Sequence, residues 1–508
     1  MAKALSGFPM LHTRERIASN AVLMISAMTL QKVIALLYFA LIARWFGAAV
    51  TGEFAFATSV GMIFTVLFDC GQTPLIIKSS AADTNDAAGD FSALLGTKLL
   101  SGLFIGGAAL VLIRFFLVGN DLLRTFLTLI VFSSFFETLQ MSFYGVLRSK
   151  QWVILEAVAG VVGQFIILVI AFCISRGWLP LGMLVGAVLV VNGFHLVLAA
   201  STAIRRFAVS VHPTFIRARL QAWIARAVPF AIAQVFVKLG TYTDTVLLRV
   251  LAGAAVLGVY SVSYKLLFSF QFIPLALISS LFPAMSYFAS QDRDRLRSSF
   301  HWSMELLLFL GAPIAFGTAA TAPTLIPLIF GSAFHGAVPL TQVAALAVIP
   351  LFLQYPTGSV LNASERAATQ TRLLGAAMVV NVTLNLVLIP MLGPWGAVIA
   401  LCASHSLVVI GGAWKIREVI AIDWKRLRSS AGRILASALA MYVLVLGIRM
   451  LWKQPFGMPY PQAMLLLVEV VSGAVVYLLL THRLGIWRRK DLTAFASSYG
   501  KSVSADHS

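Results

Sequence analysis

Three lysines stand where lysine is unfavourable. Lys32, Lys238 and Lys265 lie inside runs of apolar residues long enough to cross a bilayer. At such depth a lone lysine costs roughly 2.5–3.5 kcal/mol on insertion scales, so each is expected to face water, an acidic partner or an anionic ligand. At about 1.5 Å per residue, Lys32 and Lys238 fall some ~20 Å from one end of their helices, near mid-bilayer, and Lys265 nearer the other surface. Gln234, Lys238, Thr241, Tyr242 and Thr245 recur at helical spacing and give one helix a polar stripe. Lys32, Gln234, Lys238, Thr241 and Lys265 are therefore the candidate lining of a charged, wet cavity. The acids in the same runs are Asp69, Glu137 and Asp244. A carboxyl as deep as Glu137 suits carriage of a proton or sodium ion, so Glu137, Asp244 and Asp69 are the candidates for ion coupling or gating. Bland alternatives stand beside these: salt bridges between the lysines and acids, and a structural bond for Glu137. His195 and His405 read as helix–helix contacts before proton relays.

Bond-making chemistry has no visible apparatus. The chain carries no Gly-x-x-x-x-Gly-Lys-Ser/Thr, no His-Glu-x-x-His and no Gly-x-Ser-x-Gly sequence. The three cysteines, Cys70, Cys173 and Cys402, sit in or beside apolar segments at spacings that match no metal site or disulfide framework. The expectation is a protein that is not an enzyme and uses no cofactor or metal. A membrane glycosyl enzyme is a distant alternative, because such enzymes are expected to carry a large extramembrane loop.

The elements that must position these residues follow from composition. Of 508 residues 59% are hydrophobic and only 11% charged, and the mean hydropathy is +0.91. A water-soluble fold could not hide that much apolar surface. Apolar windows fall near residues 18–44, 52–77, 93–118, 122–147, 153–175, 179–204, 223–248, 259–288, 304–327, 338–361, 373–392, 395–413, 434–450 and 463–480. Each is near the ~20 residues that a spanning helix needs, which predicts an all-α polytopic membrane protein with about fourteen spanning helices. The first run is too long for a signal-peptide core and lacks a cleavage site, so it is expected to be retained. With both termini cytoplasmic, about 28 of the 38 Lys and Arg residues lie on the inner side and about 7 on the outer, as the positive-inside rule requires. Facing anionic lipid, those basic loops account for the net charge of +19 without any nucleic acid.

The chain also repeats itself. Gly47-Ala48-Ala49-Val50-Thr51-Gly52 returns as Gly253-Ala254-Ala255-Val256-Leu257-Gly258, an offset of 206 residues that also carries Lys32 onto Lys238 and Phe64 onto Phe270. Copies separated by six helices keep the same orientation, predicting two pseudo-symmetric six-helix lobes about an axis along the membrane normal. The expected divisions are an N-lobe over 1–204, a basic linker with an amphipathic surface helix over 205–222, a C-lobe over 223–418, two extra helices within 419–482, and a basic cytoplasmic tail over 483–508. Pro229 and Pro274 fall inside helices and favour bends there.

Particular segments bring a family into view. Ala43-Arg44-Trp45-Phe46-Gly47 through Ala55, followed by Phe68-Asp69-Cys70-Gly71, resembles the opening of bacterial polysaccharide flippases. Gly258-Val259-Tyr260-Ser261-Val262-Ser263-Tyr264-Lys265-Leu266 and Leu281-Phe282-Pro283-Ala284 resemble that family's middle segments. The resemblance covers the first twelve helices. It points to the oligosaccharide-flippase (Wzx-like) branch of the multidrug/oligosaccharidyl-lipid/polysaccharide exporter superfamily, which also holds the lipid II flippase and the MATE drug exporters. It implies two six-helix bundles alternating between inward-open and outward-open forms in a bacterial inner membrane. The implied cargo is an undecaprenyl-pyrophosphate-linked oligosaccharide for O-antigen, capsule or exopolysaccharide. Anionic lipids, a polysaccharide polymerase and a chain-length regulator are the implied partners. On this reading the lysines attract the pyrophosphate. The alternative within the superfamily is a MATE-like, cation-coupled exporter of small molecules, which should present acids where this chain presents lysines.

Overall fold

The computed structural model describes residues 13–81, 87–116, 120–452 and 462–486. The basic residues expected at Lys3 and in the tail at Arg488, Arg489 and Lys490 lie outside these. All secondary structure among the described residues is helical. In the first half, α1 is Thr13–Asp69, α2 Gln72–Ala81, α3 Ala87–Ser101, α4 Gly107–Phe116, α5 Asp121–Ser149, α6 Ile154–Ser175 and α7 Met183–Phe207. In the second, α8 is Arg217–Ala252, α9 Ala254–Ser269, α10 Phe272–Gln291, α11 Arg293–Phe330, α12 Ala337–Ala344, α13 Val348–Ala363, α14 Ala367–Leu392, α15 Pro394–Ile416, α16 Trp424–Trp452 and α17 Gln462–Arg483.

Twelve helical segments among the described residues are long and apolar enough to span a membrane, and a thirteenth is added when Arg217–Ile232 and Gln234–Ala252, bent by 47°, count as one. The difference from the expected fourteen arises at Gly47. There the backbone leaves helical geometry (φ 73, ψ −176), so Thr13–Asp69, labelled α1, is two helices joined at a kink, and the first two apolar windows fall on either side of it. Only glycine adopts this backbone region readily. The repeat partner Gly253 has φ 94, ψ 168, so the duplicated motif is duplicated in conformation as well.

The chain forms two compact units, one of residues 1–45 with 53–242, the other of residues 46–52 with 243–508. In the first, α5 packs along α7 and against α2, and α6 against α7. A core of Leu75, Ile76, Phe91, Leu94, Phe143, Leu147 and Ala199 closes over Trp223, which is 1% exposed. The segment expected as an amphipathic helix is different: α7 ends where Ala208 turns left-handed (φ 51), residues 208–216 are not helical, and Thr214 N donates to Ser92 O at 3.0 Å. Trp223 and its neighbours then dock the start of α8 into the first unit. Gly71 (φ 75) is needed in the same place, because a Cβ there would lie 2.3 Å from Ala231 N and 2.6 Å from Ala227 O of α8.

In the second unit, α11 packs against α13 and α16, and α14 and α15 pair along their length. The two copies of the glycine motif meet here reciprocally. A Cβ on Gly52 would lie 1.9 Å from Ala254 O, and one on Gly258 would lie 1.9 Å from Ala48 O. Small residues four apart let the backbones touch, as in close-packed membrane helix pairs. Because 48 maps to 254 and 52 to 258, each contact is the other's repeat image.

Candidate functional site

The first unit gathers three of the expected residues. Glu137, half-buried in the middle of α5, accepts a hydrogen bond from Thr65 Oγ1 on α1 at 3.1 Å and interacts electrostatically with Lys238. Lys238 is half-buried on α8, its ammonium 5.5 Å from the centre of the Tyr242 ring. It is also within electrostatic reach of Lys32, whose side chain is exposed on α1. Two cations and one acid therefore share a region at mid-helix depth, a combination that membrane proteins keep only where water or a ligand can reach it. Gln234 is half-buried on the same helix, and Thr241 Oγ1 bonds back to Val237 O at 2.7 Å, a common internal satisfaction for a helical threonine.

Lys238 is held at a distance. Below it on α8, Arg226 donates to both oxygens of Asp90, Nη1 at 3.0 Å and Nη2 at 3.2 Å. Trp223 Nε1 donates to Gln72 Oε1 at 2.9 Å, and Thr97 Oγ1 donates to the same oxygen at 2.5 Å. A bidentate guanidinium–carboxylate pair fixes direction as well as distance.

Asp69 sits in a different setting. Its Oδ1 accepts from Lys98 Nζ at 2.9 Å and from the Thr73 hydroxyl, while Oδ2 accepts from Thr73 N at 3.3 Å. Lys98 is fully buried and gives a second bond to Thr138 O at 2.6 Å. The carboxylate is thus saturated and lies at the Cys70–Gly71 corner, where both residues have positive φ.

The remaining candidates belong to the second unit. Asp244, 1% exposed, accepts from Tyr260 Oη at 2.5 Å and from Thr245 N at 2.7 Å. Lys265 is exposed on α9. The two histidines are tied to helix neighbours: His195 Nε2 donates to Ala159 O at 2.9 Å, and His405 Nδ1 lies 3.1 Å from Gln354 Oε1. Outside the spans, Arg366 and Lys415 clamp Glu418. The Arg366 hydrogen bond is the main reason its carboxyl is held below the usual glutamate range, with Lys415 adding to it.

Sequence reasoning missed two buried ion pairs. Lys98 falls at the start of the third apolar window, where it reads as a flank. Glu469 lies within the last window and is fully buried. Its Oε1 accepts from Arg449 Nε at 2.9 Å and Nη2 at 2.7 Å and from Thr324 Oγ1 at 3.3 Å, tying α16 and α17 to α11. The available signal was an acid inside an apolar run with an arginine at the end of the preceding one.

A family model described as polysaccharide biosynthesis protein matches residues 41–339. The chain belongs to that family. Among curated relatives, it is 26% identical over 241 residues to the probable flippase AglR of Haloferax volcanii, covering 47% of this chain and 49% of that protein. It is 26% identical over 248 residues to the teichuronic acid biosynthesis protein TuaB of Bacillus subtilis, covering 48% and 50%. The chain thus matches about half the length of these curated relatives of the polysaccharide biosynthesis family. Its fold is similar to that of the lipid II flippase MurJ in an inward closed conformation, with a TM-score of 0.73 at 13% identity over 91% of this chain and 98% of that one. A MATE multidrug transporter in its inward-facing conformation gives 0.63 at 13% identity, covering 80% and 99%. This member of the polysaccharide biosynthesis family is therefore a membrane protein, helical throughout its described secondary structure, whose fold is similar to that of MurJ and the MATE transporter.

Proposed function

We propose that this chain is a flippase that carries an undecaprenyl-pyrophosphate-linked oligosaccharide from the cytoplasmic to the outer leaflet by alternating access, making and breaking no covalent bond. The observation that carries the reading is family membership over residues 41–339 together with Lys32 and Lys238 at equivalent places in the repeat and within electrostatic reach of each other. A pyrophosphate must leave water to cross, and ammonium groups held at mid-depth replace part of its hydration. The probable flippase and the teichuronic acid protein among the relatives agree with a lipid-linked, anionic cargo. Glu137 is assigned the coupling of an ion, a role supported by its mid-helix position and its hydrogen bond from the Thr65 hydroxyl. Asp69 and Asp244, whose oxygens are taken by Lys98, Thr73, Tyr260 and Thr245, are assigned to holding helices together.

The test is complementation of a flippase-null bacterial strain with the full chain, measuring lipid-linked oligosaccharide left on the inner leaflet. Clearance of the inner-leaflet pool with polymer restored is the expected result. A pool that stays full while the protein is abundant in the membrane refutes the proposal.

A further inference from the structure

The second unit carries a half-buried polar and aromatic surface at mid-membrane depth that the charged residues do not explain. On α9, Tyr260, Tyr264 and Phe268 follow one another at four-residue spacing on one face. The Tyr264 and Phe268 rings stack with centres 4.1 Å apart and planes 21° apart, and Tyr260 meets Tyr264 at 5.8 Å. Phe268 reaches His405 of α15 at 6.4 Å. His405 is joined to Gln354 of α13 at 3.1 Å, with Tyr355 beside it in sequence. Tyr264, Phe268, Gln271, Gln354, Tyr355 and His405 are all half-buried, whereas Leu267, Leu351, Phe352 and Leu401 on the same helices are nearly or fully buried.

His405 is eleven residues from each end of α15, about 16 Å deep from either side. Amide and imidazole groups at that depth are unfavourable against hydrocarbon, where nothing meets their remaining donors and acceptors. A half-buried face with these groups suits contact with water or a polar ligand better than contact with lipid chains. It carries no free carboxylate to draw a cation, because Asp244 at its end is closed by Tyr260 and Thr245. Its chemistry is flat ring faces bordered by uncharged amide and imidazole groups, with Lys265 exposed on the same helix. A pyranose matches that chemistry: its C–H face lies against an aromatic ring and its rim of hydroxyls bonds to amides.

We propose that the Tyr264–Phe268–His405–Gln354 surface is the subsite that binds sugar rings of the lipid-linked headgroup, separate from the lysines that meet its phosphates. This rests on the flippase reading above.

The experiment uses the full chain in nanodiscs, with two probes: inorganic pyrophosphate, and lipid-linked oligosaccharide extracted from flippase-null cells. For Phe268→Leu and for Gln354→Ala on a separate helix, affinity for the lipid-linked oligosaccharide is expected to fall about tenfold, the scale of one lost stacking or hydrogen-bonding contact, with pyrophosphate affinity unchanged. Phe268→Tyr, which keeps the ring, is expected to stay within about twofold of the parent. Unchanged oligosaccharide binding in the leucine and alanine variants overturns the proposal, as does an equal loss of both probes or a tyrosine variant as impaired as leucine. If the parent chain binds pyrophosphate but no lipid-linked oligosaccharide, the flippase reading itself fails.

Discussion

Removing either member of the Asp69–Lys98 pair is expected to unfold much of the first unit's inner end, while removing both together is not. Lys98 is completely buried and Asp69 nearly so, and Lys98 spends its ammonium on Asp69 and Thr138 O. In Asp69→Asn the ammonium keeps its burial and loses its counter-ion. In Lys98→Met the carboxylate keeps Thr73 alone. Breaking a buried pair on one side costs about 3–5 kcal/mol, since a desolvated charge is left uncompensated. At 1.4 kcal/mol per decade that lowers the folded-to-unfolded ratio by roughly a hundred- to a few thousand-fold. The double variant Asp69→Asn with Lys98→Met leaves no buried charge, and such replacements are often neutral or stabilising. The assay is a double-mutant cycle on the purified protein, following loss of the monodisperse fraction on heating, beside clearance of inner-leaflet cargo in complemented cells. Both single variants should be scarce and thermolabile, and the double should recover stability and transport together. Single variants as stable as the parent would refute the energetic argument. A stable double variant that clears no cargo would refute the structural assignment of Asp69 and return it to the coupling machinery.

Three further outcomes are expected. Lys238→Glu should reach the membrane at the parent level yet lower cargo clearance roughly tenfold or more, since one charge-assisted contact is replaced by repulsion; normal clearance would remove Lys238 from the cargo path. Gly258→Val should reduce thermal stability and abundance by an amount on the order of 1–3 kcal/mol or more, because its Cβ would sit 1.9 Å from Ala48 O, and an unaffected melting profile would contradict the contact. Glu418 has its carboxyl held low chiefly by Arg366, so its stabilising contribution is present above the ordinary glutamate range near ~4.3 and is lost as pH falls through its own lower value. Glu418→Gln should accordingly be less thermostable than the parent at pH 7, with the gap closing as pH falls below the ordinary glutamate range, and a gap that does not shrink in acid arguing against the clamp.

Much of this was legible in the sequence because the governing physics is local. The spanning segments follow from apolar runs alone, and Gly47 and Gly253 announced themselves through a repeated string that the structure gives the same backbone angles. The division at Gly47 was countable from hydropathy, because the apolar windows at 18–44 and 52–77 part where the backbone leaves helical geometry. Pairings between distant helices were the least legible. Lys98 finds Asp69 29 residues away, and Glu469 needs both Arg449 and a threonine 145 residues earlier; neither partner is set by spacing. The break over 208–216 was not legible, because arginine spacing does not announce left-handed Ala208 or the bond from Thr214 N to Ser92 O; Arg205 and Arg206 lie at the end of α7, and Arg217 and Arg219 at the start of α8.

The crossing of the two glycine motifs has a consequence for how this chain can change over time. Two contacts that exchange under the repeat are the arrangement a homodimer has at its twofold axis, and here both lie within one polypeptide. A side chain at 52 would strike Ala254 O and also come within 2.9 Å of Gly258 N. A change at that glycine therefore presses on both contacts at once, and the two motifs are constrained together.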